Sequence, residues 1–544
     1  MKNKYNYILP TIIALTLAVG IFIGGKLHFK DTPEKLFTTN SKKDKLNRLI
    51  DLIEYEYVDE VDTDSIVDVA VNNILSKLDP HSVYIPKEQM VEVSENMKGD
   101  FVGIGVQFYM DKDVDTIAVI RTIEGGPSYS KGIQAGDRIL MAGKDTLFGR
   151  NLSNNEIVSK LKGKRGTKVK LKIYRKKENK TFSVTVKRDL IPIKSVDAYF
   201  MLTSDMGYIK VNRFAETTFR EFKNALKELQ KQGATKLTLD LRDNPGGYLG
   251  IAEKMADEFL EDGKLILFTK NKKGKIDNVY ATEKGDFEDK PIYVLINERS
   301  ASASEIIAGA LQDNDIGTIV GRRSFGKGLV QREMALGDGS AIRLTISRYY
   351  TPTGRSIQRT YKKGHKDYYQ NFTDRYHSGE LVSVDSIKVA DSLKFTTPKG
   401  KVVYGGGGIV PDVFVPIGSN EVEAVESLES LGFISRFVFN HLEEDREKYA
   451  TYEKQDFVDD FKVDDIVFEN FINYAEDIYQ VKRLRLKYYD LEDQIKLFLK
   501  ASLAEQLYSP NTYAKIKSSG DAMLNKVKEL DNPSLIQKEE EIEN

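Results

Sequence analysis

The sequence predicts a multidomain α/β protein with a helical N-terminal segment, a small β-rich domain, a layered α/β core and a helical C-terminal extension. With 544 residues, the chain is longer than one hydrophobic core usually serves. Short β-type runs broken by glycine precede a stretch in which strands and amphipathic helices alternate, and the last part of the chain is helical and highly charged. The predicted boundaries are 1–30 for an N-terminal segment, 31–97 for a helical region, 98–188 for the β-rich domain, 189–418 for the core with an insert at about 360–404, and 419–544 for the helical extension.

The composition argues against several classes of partner and site. Lysine plus arginine (81) and aspartate plus glutamate (82) nearly cancel, which removes the main electrostatic reason to expect nucleic acid as a partner. The absence of cysteine excludes disulfides, thiolate metal sites and cysteine nucleophiles. The five histidines are scattered and show no HExxH spacing, so the sequence predicts neither a metal site nor a cofactor.

The N-terminus carries the clearest targeting signal. Lys2 and Lys4 precede an uncharged, mostly apolar run over 5–25, and Lys26 closes it. About twenty such residues suffice to cross a bilayer as a helix, and the leading lysines favour a cytoplasmic N-terminus with the rest exported. No small-x-small cleavage site follows, which favours a retained membrane anchor over a removed signal peptide. We therefore expect a cell-envelope protein, anchored in the inner membrane and facing the periplasm, or periplasmic if the segment is cleaved.

A helical region is predicted over about 42–99. A second helix, over 64–78, ends at LDPHSVYIP because Pro80 and the extended residues after it stop a helix. His81 in this turn is interpreted as structural, since no second histidine lies near it in sequence and Asp79 alone makes no metal site. The first helix places its apolar residues on one face, and these are Leu46, Leu49, Ile50, Ile53 and Tyr57.

The segment from about 98 to 188 contains the glycine-broken β-type runs. Within it, the stretch IEGGPSYSKGIQAGDRILMAGKDT resembles the core of a PDZ domain. PDZ domains bind peptide C-termini by adding a strand to a sheet edge and holding the terminal carboxylate with backbone N–H groups. By this resemblance the capture loop lies at Gly103, Ile104, Gly105 and Val106, and the alternative is that these glycines only form a tight turn.

After Pro192 the chain alternates between predicted strands and helices, as expected of a mixed α/β layer. The helix FREFKNALKELQK carries apolar residues on one side and charged residues on the other. Loops at the carboxyl ends of the strands in such a sheet usually carry the site. Two loops stand out, 243–247 after KLTLDLR and 298–302 after PIYVLIN.

A serine and a lysine in this core are candidates for nucleophilic catalysis. A serine hydroxyl needs a base to remove its proton, and no histidine lies in the core before His365. A lysine takes this role when burial or positive neighbours lower its pKa. Lys327 meets that condition because its nearest neighbours are uncharged and Arg322 and Arg323 precede it. We interpret Ser302 as the nucleophile and Lys327 as its base, a known variant of the serine–histidine arrangement.

The same loops offer candidate oxyanion donors. Ser302 lies where ASEIIAGAL begins a helix, so the Ala303 amide is free to donate and the helix dipole favours negative charge there. The loop 243–247 offers a second donor, because glycine lets a backbone approach a ligand closely.

Five separated motifs of this chain resemble those of the C-terminal processing peptidases, also called tail-specific proteases. With the PDZ-like segment and LDPHS before them, the resemblance covers about residues 40–415. It implies a core similar to the crotonase and Clp-protease folds, and a serine endopeptidase that recognises a substrate's C-terminal tail and cuts through an acyl-enzyme. It also implies that Gln331 orients Lys327 and that the amides of Ala303 and Gly246 are the oxyanion donors. The motifs are DLRDNPGG, NERSASASEIIAGALQD, GRRSFGKGLVQ, YYTPTGRSIQ and YGGGGIVPDV.

The chain departs from this family's pattern in an insert of about 45 residues between GRSIQ and GGGGIVPD. The insert is predicted to form a flap or an extra strand pair, either over the site or at its edge. Its tyrosines are predicted to pack within the insert rather than contact substrate. Beyond Pro416, the resemblance implies a helical region that forms homodimer contacts or supports the core. Its apolar face comprises Leu484, Tyr488, Leu491, Ile495 and Phe498, and the final QKEEEIEN is predicted to be a disordered acidic tail.

Two other functions remain as alternatives. A catalytically silent PDZ scaffold of the cell envelope has no reason to keep Ser302, Lys327 and Gln331 together. A nucleotide-binding protein is suggested by the GxxxxGK spacing of 321–327. Against it, Gly328 replaces the serine or threonine that binds magnesium, and a predicted strand follows where a phosphate loop needs a helix.

Overall fold

The computed structural model describes residues 14–20, 41–111, 115–362, 364–418, 420–479 and 491–532. The chain divides into two compact units, Met1–Lys77 and Leu78–Asn544. Of the predicted anchor only residues 14–20 are described, and they are helical. None of the helices in the described ranges combines the length and the apolar character needed to cross a bilayer. The anchor and the envelope location therefore stay predictions.

Besides the helical residues 14–20, the described part of the first unit contains α1 (Ser41–Glu56) and α2 (Thr63–Leu75). Asp62 caps α2, and its carboxylate accepts a hydrogen bond from the Ser65 amide. The second unit begins with the LDPHS turn, strand β1 (Val83–Ile85) and helix α3 (Lys87–Lys98). The region predicted as helical thus includes a short strand as well.

A β-rich segment follows α3. Strand β2 (Asp100–Gly103) pairs with β9 (Asp189–Pro192) and closes the segment at its base. The main sheet has the order β3-β4-β5-β7-β8, with β6 beside β5. In β7, buried valine, leucine and isoleucine alternate with exposed lysines, as expected for a strand with one face in the core. The elements are β3 (Val106–Asp111), β4 (Thr116–Thr122), β5 (Asp137–Ala142), β6 (Asp145–Thr146), α4 (Asn154–Leu161), β7 (Lys168–Arg175) and β8 (Lys180–Lys187).

The α/β core contains a six-stranded sheet in the order β10-β11-β12-β15-β16-β21. All neighbouring pairs except β10 and β11 are parallel, so the loops after β12 and β15 meet at one edge of the sheet. Helix α5 buries Phe222, Leu226 and Leu229 against this sheet, which explains its amphipathic sequence. The elements are β10 (Ala198–Met201), β11 (Met206–Lys210), α5 (Thr218–Lys231), β12 (Lys236–Asp240), α6 (Leu249–Asp257), β15 (Ile292–Ile296), α7 (Ala303–Asp313), β16 (Gly317–Gly321) and β21 (Val413–Phe414).

A second core sheet has the order β1-β18-β13-β14, with β17 paired to β18. It brings the LDPHS segment beside β18, although about 260 residues separate them in sequence. Lys327 lies two residues before β17 rather than at the start of a helix, which removes the structural condition for a phosphate loop. The elements are β13 (Leu265–Asn271), β14 (Ile276–Tyr280), β17 (Leu329–Ala335) and β18 (Ala341–Tyr350).

The insert forms helix α8 (His365–His377) and the strand pair of β19 (Lys394–Thr396) and β20 (Val402–Tyr404). Just before it, the fully buried Arg355 pairs with Asp313 of α7 at 2.6 Å. This pair ties the segment just before the insert to α7, the helix that follows Ser302.

The C-terminal region is helical, as predicted. Leu491, Ile495 and Phe498 are buried in its own hydrophobic cluster, whereas Leu484, Tyr488 and the final residues lie outside the described ranges. The helices are α9 (Asn420–Ser430), α10 (Phe433–Ala450), α11 (Lys454–Asp459), α12 (Asp465–Tyr479), α13 (Glu492–Leu507), α14 (Pro510–Lys517) and α15 (Ala522–Asp531).

Helix α10 contacts the β-rich segment through a buried ion pair. Arg138 of β5 donates two hydrogen bonds to Glu443, of 2.5 and 2.8 Å. Tyr109 of β3 packs edge-on against Phe439 beside this pair. The multidomain α/β fold predicted from the sequence is confirmed, while its exact domain boundaries stay predictions.

Candidate active site

The three serines of the SASAS turn have different environments. Ser300 and Ser304 are fully buried and donate their hydroxyls to the carbonyls of Leu241 and Asn244. Ser302 is partly exposed and stands as the residue before α7, with φ of 55° and ψ of −110°. This left-handed backbone is rare for a serine and makes a sharp turn from strand to helix. The local structure therefore singles out Ser302 as the serine that a substrate can reach.

The side chain of Lys327 is held by Gln331. Its Nζ donates to Gln331 Oε1 at 2.9 Å. The pKa of Lys327 is lowered from 10.5 to about 8, first by burial and then by the positive charge of Arg343, while Glu305 and Asp79 oppose the shift. Within the described residues no direct hydrogen bond joins Ser302 Oγ to Lys327 Nζ. Proton transfer between them thus requires a small closing movement or a bridging water.

The sequence interpretation named the wrong arginines as the positive neighbours of Lys327. Arg322 pairs with Glu298 at 2.9 Å, and Arg323 pairs with Glu380 at 2.5 Å. Both arginines are therefore engaged by carboxylates, and Arg323 shares Glu380 with Arg375. The cation that affects the pKa of Lys327 is Arg343 of β18, which is near it in space although it is distant in sequence.

Glu305 joins the serine turn to the lysine loop, and the sequence analysis missed it. Its fully buried carboxylate accepts four hydrogen bonds, three from backbone amides and one from a hydroxyl. A signal for Glu305 exists in the sequence, because a glutamate three residues after an N-cap serine is typical of a capping box. The donors are Ser302 N at 2.8 Å, Ser324 Oγ at 2.5 Å, Gly326 N at 2.7 Å and Lys327 N at 2.8 Å.

Gln331 is in turn held by the LDPHS turn. Its Nε2 donates to the backbone carbonyl of His81. The Asp79 carboxylate shapes this turn by accepting from the amides of His81 and Ser82, each at 2.9 Å. The His81 carbonyl is thus part of the site, and no spacing in the sequence could have indicated it, since 250 residues separate it from Gln331.

The two predicted oxyanion donors lie side by side. Gly246 has φ of +100°, and a Cβ at this position would lie 2.8 Å from Ser302 Cβ and 3.0 Å from Ala303 N, so only glycine fits so close. The Gly246 amide, however, donates to the side-chain oxygen of Asn244 at 2.9 Å. Presenting this N–H to a substrate requires that the contact with Asn244 be broken.

The four residues of the predicted capture loop lie in the β-rich segment, and their described contacts do not join them to Ser302. Gly103 ends β2 and Val106 begins β3, which is an edge strand of its sheet. The carbonyls of Ile104 and Gly105 accept from the amides of Ser128 and Ile123, each at 3.0 Å. These bonds fix the shape of the loop that leads into edge strand β3.

Four protein-family models match the chain. A PDZ domain matches residues 102–186, and Peptidase family S41 matches 205–366. The N-terminal domain of the activating protease CtpB matches 25–89, and a family of unknown function matches 425–509. The PDZ match contains residues 103–106, and the peptidase match contains Gly246, Ser302, Ala303, Lys327 and Gln331, whereas His81 lies in the CtpB match.

The chain is also similar to curated carboxy-terminal processing proteases, over longer alignments than those of the family models. The carboxy-terminal-processing protease of Bartonella bacilliformis is 39% identical over 350 residues, which cover 62% of this chain and 78% of the relative. The carboxy-terminal processing protease CtpA of Bacillus subtilis is 35% identical over 403 residues, covering 72% and 84%. Among solved structures, the photosystem II D1 C-terminal processing protease is 24% identical, covers 69% of this chain and 86% of its own, and has a TM-score of 0.36.

Proposed function

Because this chain belongs to the C-terminal processing peptidase family of serine-type peptidases, we propose that it is an endopeptidase in which Lys327 activates Ser302. The proposal rests on the hydrogen bonding and the lowered pKa of Lys327. Its amine is held by the neutral Gln331, and burial lowers its pKa to about 8. A lysine with such a pKa is partly neutral near pH 8 and can accept a proton.

In the proposed mechanism, Ser302 Oγ forms a bond to the substrate carbonyl carbon as its proton passes to Lys327 Nζ. The amides of Ala303 and Gly246 stabilise the negative charge on the carbonyl oxygen once Gly246 has left Asn244. Lys327 then donates the proton to the leaving amine as the carbon–nitrogen bond breaks. A water attacks the resulting ester, its proton passes to Lys327, and Ser302 is released with a proton from the lysine.

The rate of this reaction should depend on pH through Lys327. Only the neutral amine accepts a proton, so kcat should rise about tenfold per pH unit below 8 and level off above it. His81 cannot cause this inflection, because burial and the charge of Lys327 lower its pKa to about 3. Steady-state rates between pH 6 and 10 would measure the profile.

A variant of Arg343 makes the pH test specific to Lys327. Removing this cation in Arg343→Gln should raise the pKa of Lys327 and move the inflection to higher pH. A wild-type profile that is flat between pH 6 and 9, with Ser302 still essential, would argue against lysine as the base.

We further propose that substrates are bound by their C-terminal tail at the capture loop of residues 103–106. The left-handed Gly105, with φ of +74°, turns the chain into edge strand β3. An extended peptide can add to such an edge and place its carboxylate at the loop amides. This supports a substrate class of polypeptides with a free C-terminus.

Amidation of the substrate's C-terminus should therefore weaken binding. Loss of charge-assisted hydrogen bonds to the carboxylate should raise KM roughly tenfold to a hundredfold, with kcat within about twofold. The measurement compares one substrate polypeptide as free acid and as amide, with N-terminal acetylation as the matched control that changes nothing. Equal KM values for acid and amide would remove the proposed role of the loop.

A further inference from the structure

The insert helix α8 contacts the same LDPHS turn that holds Gln331. The hydroxyl of Tyr368, a residue only 2% exposed, lies 2.7 Å from His81 Nε2. The next residue, Tyr369, donates its hydroxyl to the Pro80 carbonyl at 2.6 Å. Two consecutive tyrosines of the insert thus fix the two residues at the centre of the turn.

These contacts complete a chain of hydrogen bonds from the insert to the candidate base. Tyr368 contacts the His81 ring, the His81 carbonyl accepts from Gln331, and Gln331 accepts from Lys327 Nζ. Each member restricts the next, because a side chain held at both ends has fewer conformations to explore. Helix α8 is thus linked to Lys327 through three successive hydrogen bonds.

Helix α8 is also clamped to the loop that carries Lys327. The guanidinium of Arg359 lies between the rings of Phe325 and Tyr368, 3.9 Å from each ring centre. Its Nη1 donates to Asn371 of α8 at 2.7 Å, and its backbone amide donates to the Gly326 carbonyl at 3.0 Å. The insert thus contacts both the lysine loop and the turn that orients Gln331.

We propose that α8 is a positioning element for the reaction, in which Tyr368 acts through His81 and Gln331 to hold Lys327. The inference rests on the proposed function, because it assigns α8 a role toward the proposed base. A group that acts on the base changes the rate of the chemical step and leaves substrate binding alone. The predicted signature is a lower kcat with an unchanged KM.

The test is the Tyr368→Phe variant, which keeps the ring between its neighbours and removes only the hydroxyl. Loss of one hydrogen bond in the chain should lower kcat about tenfold and leave KM within about twofold. Tyr361→Phe is the matched control, since its hydroxyl also lies in the insert but contacts Arg348 at 3.3 Å instead of His81. The control should leave both constants unchanged.

A double-mutant cycle with Gln331→Ala separates positioning from a general loss of structure. If Tyr368 acts through Gln331, adding Tyr368→Phe to Gln331→Ala should lower the residual kcat no further. Three results would each overturn the proposal. The first is an equal loss of kcat from Tyr368→Phe in the wild-type and Gln331→Ala proteins. The others are a wild-type kcat for Tyr368→Phe, or a raised KM at constant kcat. The Lys327→Ala variant shows whether the α8 proposal alone has failed or the proposed function as well. Activity in that variant would contradict the proposed function itself.

Discussion

Lys327→Ala is expected to lower kcat/KM by about 10⁴-fold or more while the protein stays folded. In the proposed mechanism this amine accepts a proton twice and donates one twice, and the described residues offer no second base at Ser302. His81, a histidine near the site, directs its ring toward Phe325 and Tyr368. Cleavage of an unfolded protein substrate, followed by mass spectrometry, measures the loss.

Two further variants make this result specific. Lys327→Arg should be equally inactive, because arginine keeps the charge but does not deprotonate in this pH range. Lys284→Ala removes an exposed lysine and should cleave like wild type. A Lys327→Ala protein that keeps more than about a tenth of the wild-type kcat/KM would contradict lysine as the base.

Glu305→Ala is expected to lower the free energy of unfolding by roughly 3–5 kcal/mol and to abolish cleavage. The substitution removes the acceptor of four hydrogen bonds in a fully buried place. Three backbone amides would then lack a partner, and each buried unsatisfied donor costs about 1–3 kcal/mol. The Ser302 turn and the Lys327 loop would also lose the group that joins them.

Urea unfolding followed by circular dichroism measures this effect. Glu283→Ala, at an exposed position, is the control and should change the free energy of unfolding by less than about 0.5 kcal/mol. Stability and activity close to wild type in Glu305→Ala would show that the carboxylate does not organise the site.

Most of the fold could be predicted from local patterns in the sequence. Helix α5 was predictable because its apolar residues recur at helical spacing, and β7 because its apolar residues alternate with lysines. The candidate pair was predictable from chemistry, since the core contains a serine at a helix start, no usable histidine and a lysine among uncharged neighbours.

The remaining parts of the site depend on contacts that bring distant segments together. The His81 carbonyl reaches Gln331 only because β1 pairs with β18. Arg343 affects Lys327 because β17 and β18 are neighbours, whereas the arginines adjacent in sequence are paired elsewhere. Glu305 had a local signal, but the capping pattern alone indicated a helix start and not the three further donors.

Labelling with a fluorophosphonate, read by intact and peptide mass spectrometry, tests the central claim most directly. This reagent reacts with an activated serine without needing tail recognition, so it reports on the serine and lysine alone. We expect one adduct on Ser302, a labelling rate that rises with pH through about 8, and a rate in Lys327→Ala reduced at least a hundredfold. An adduct on Ser300 or Ser304, or a wild-type labelling rate in Lys327→Ala, would contradict the account.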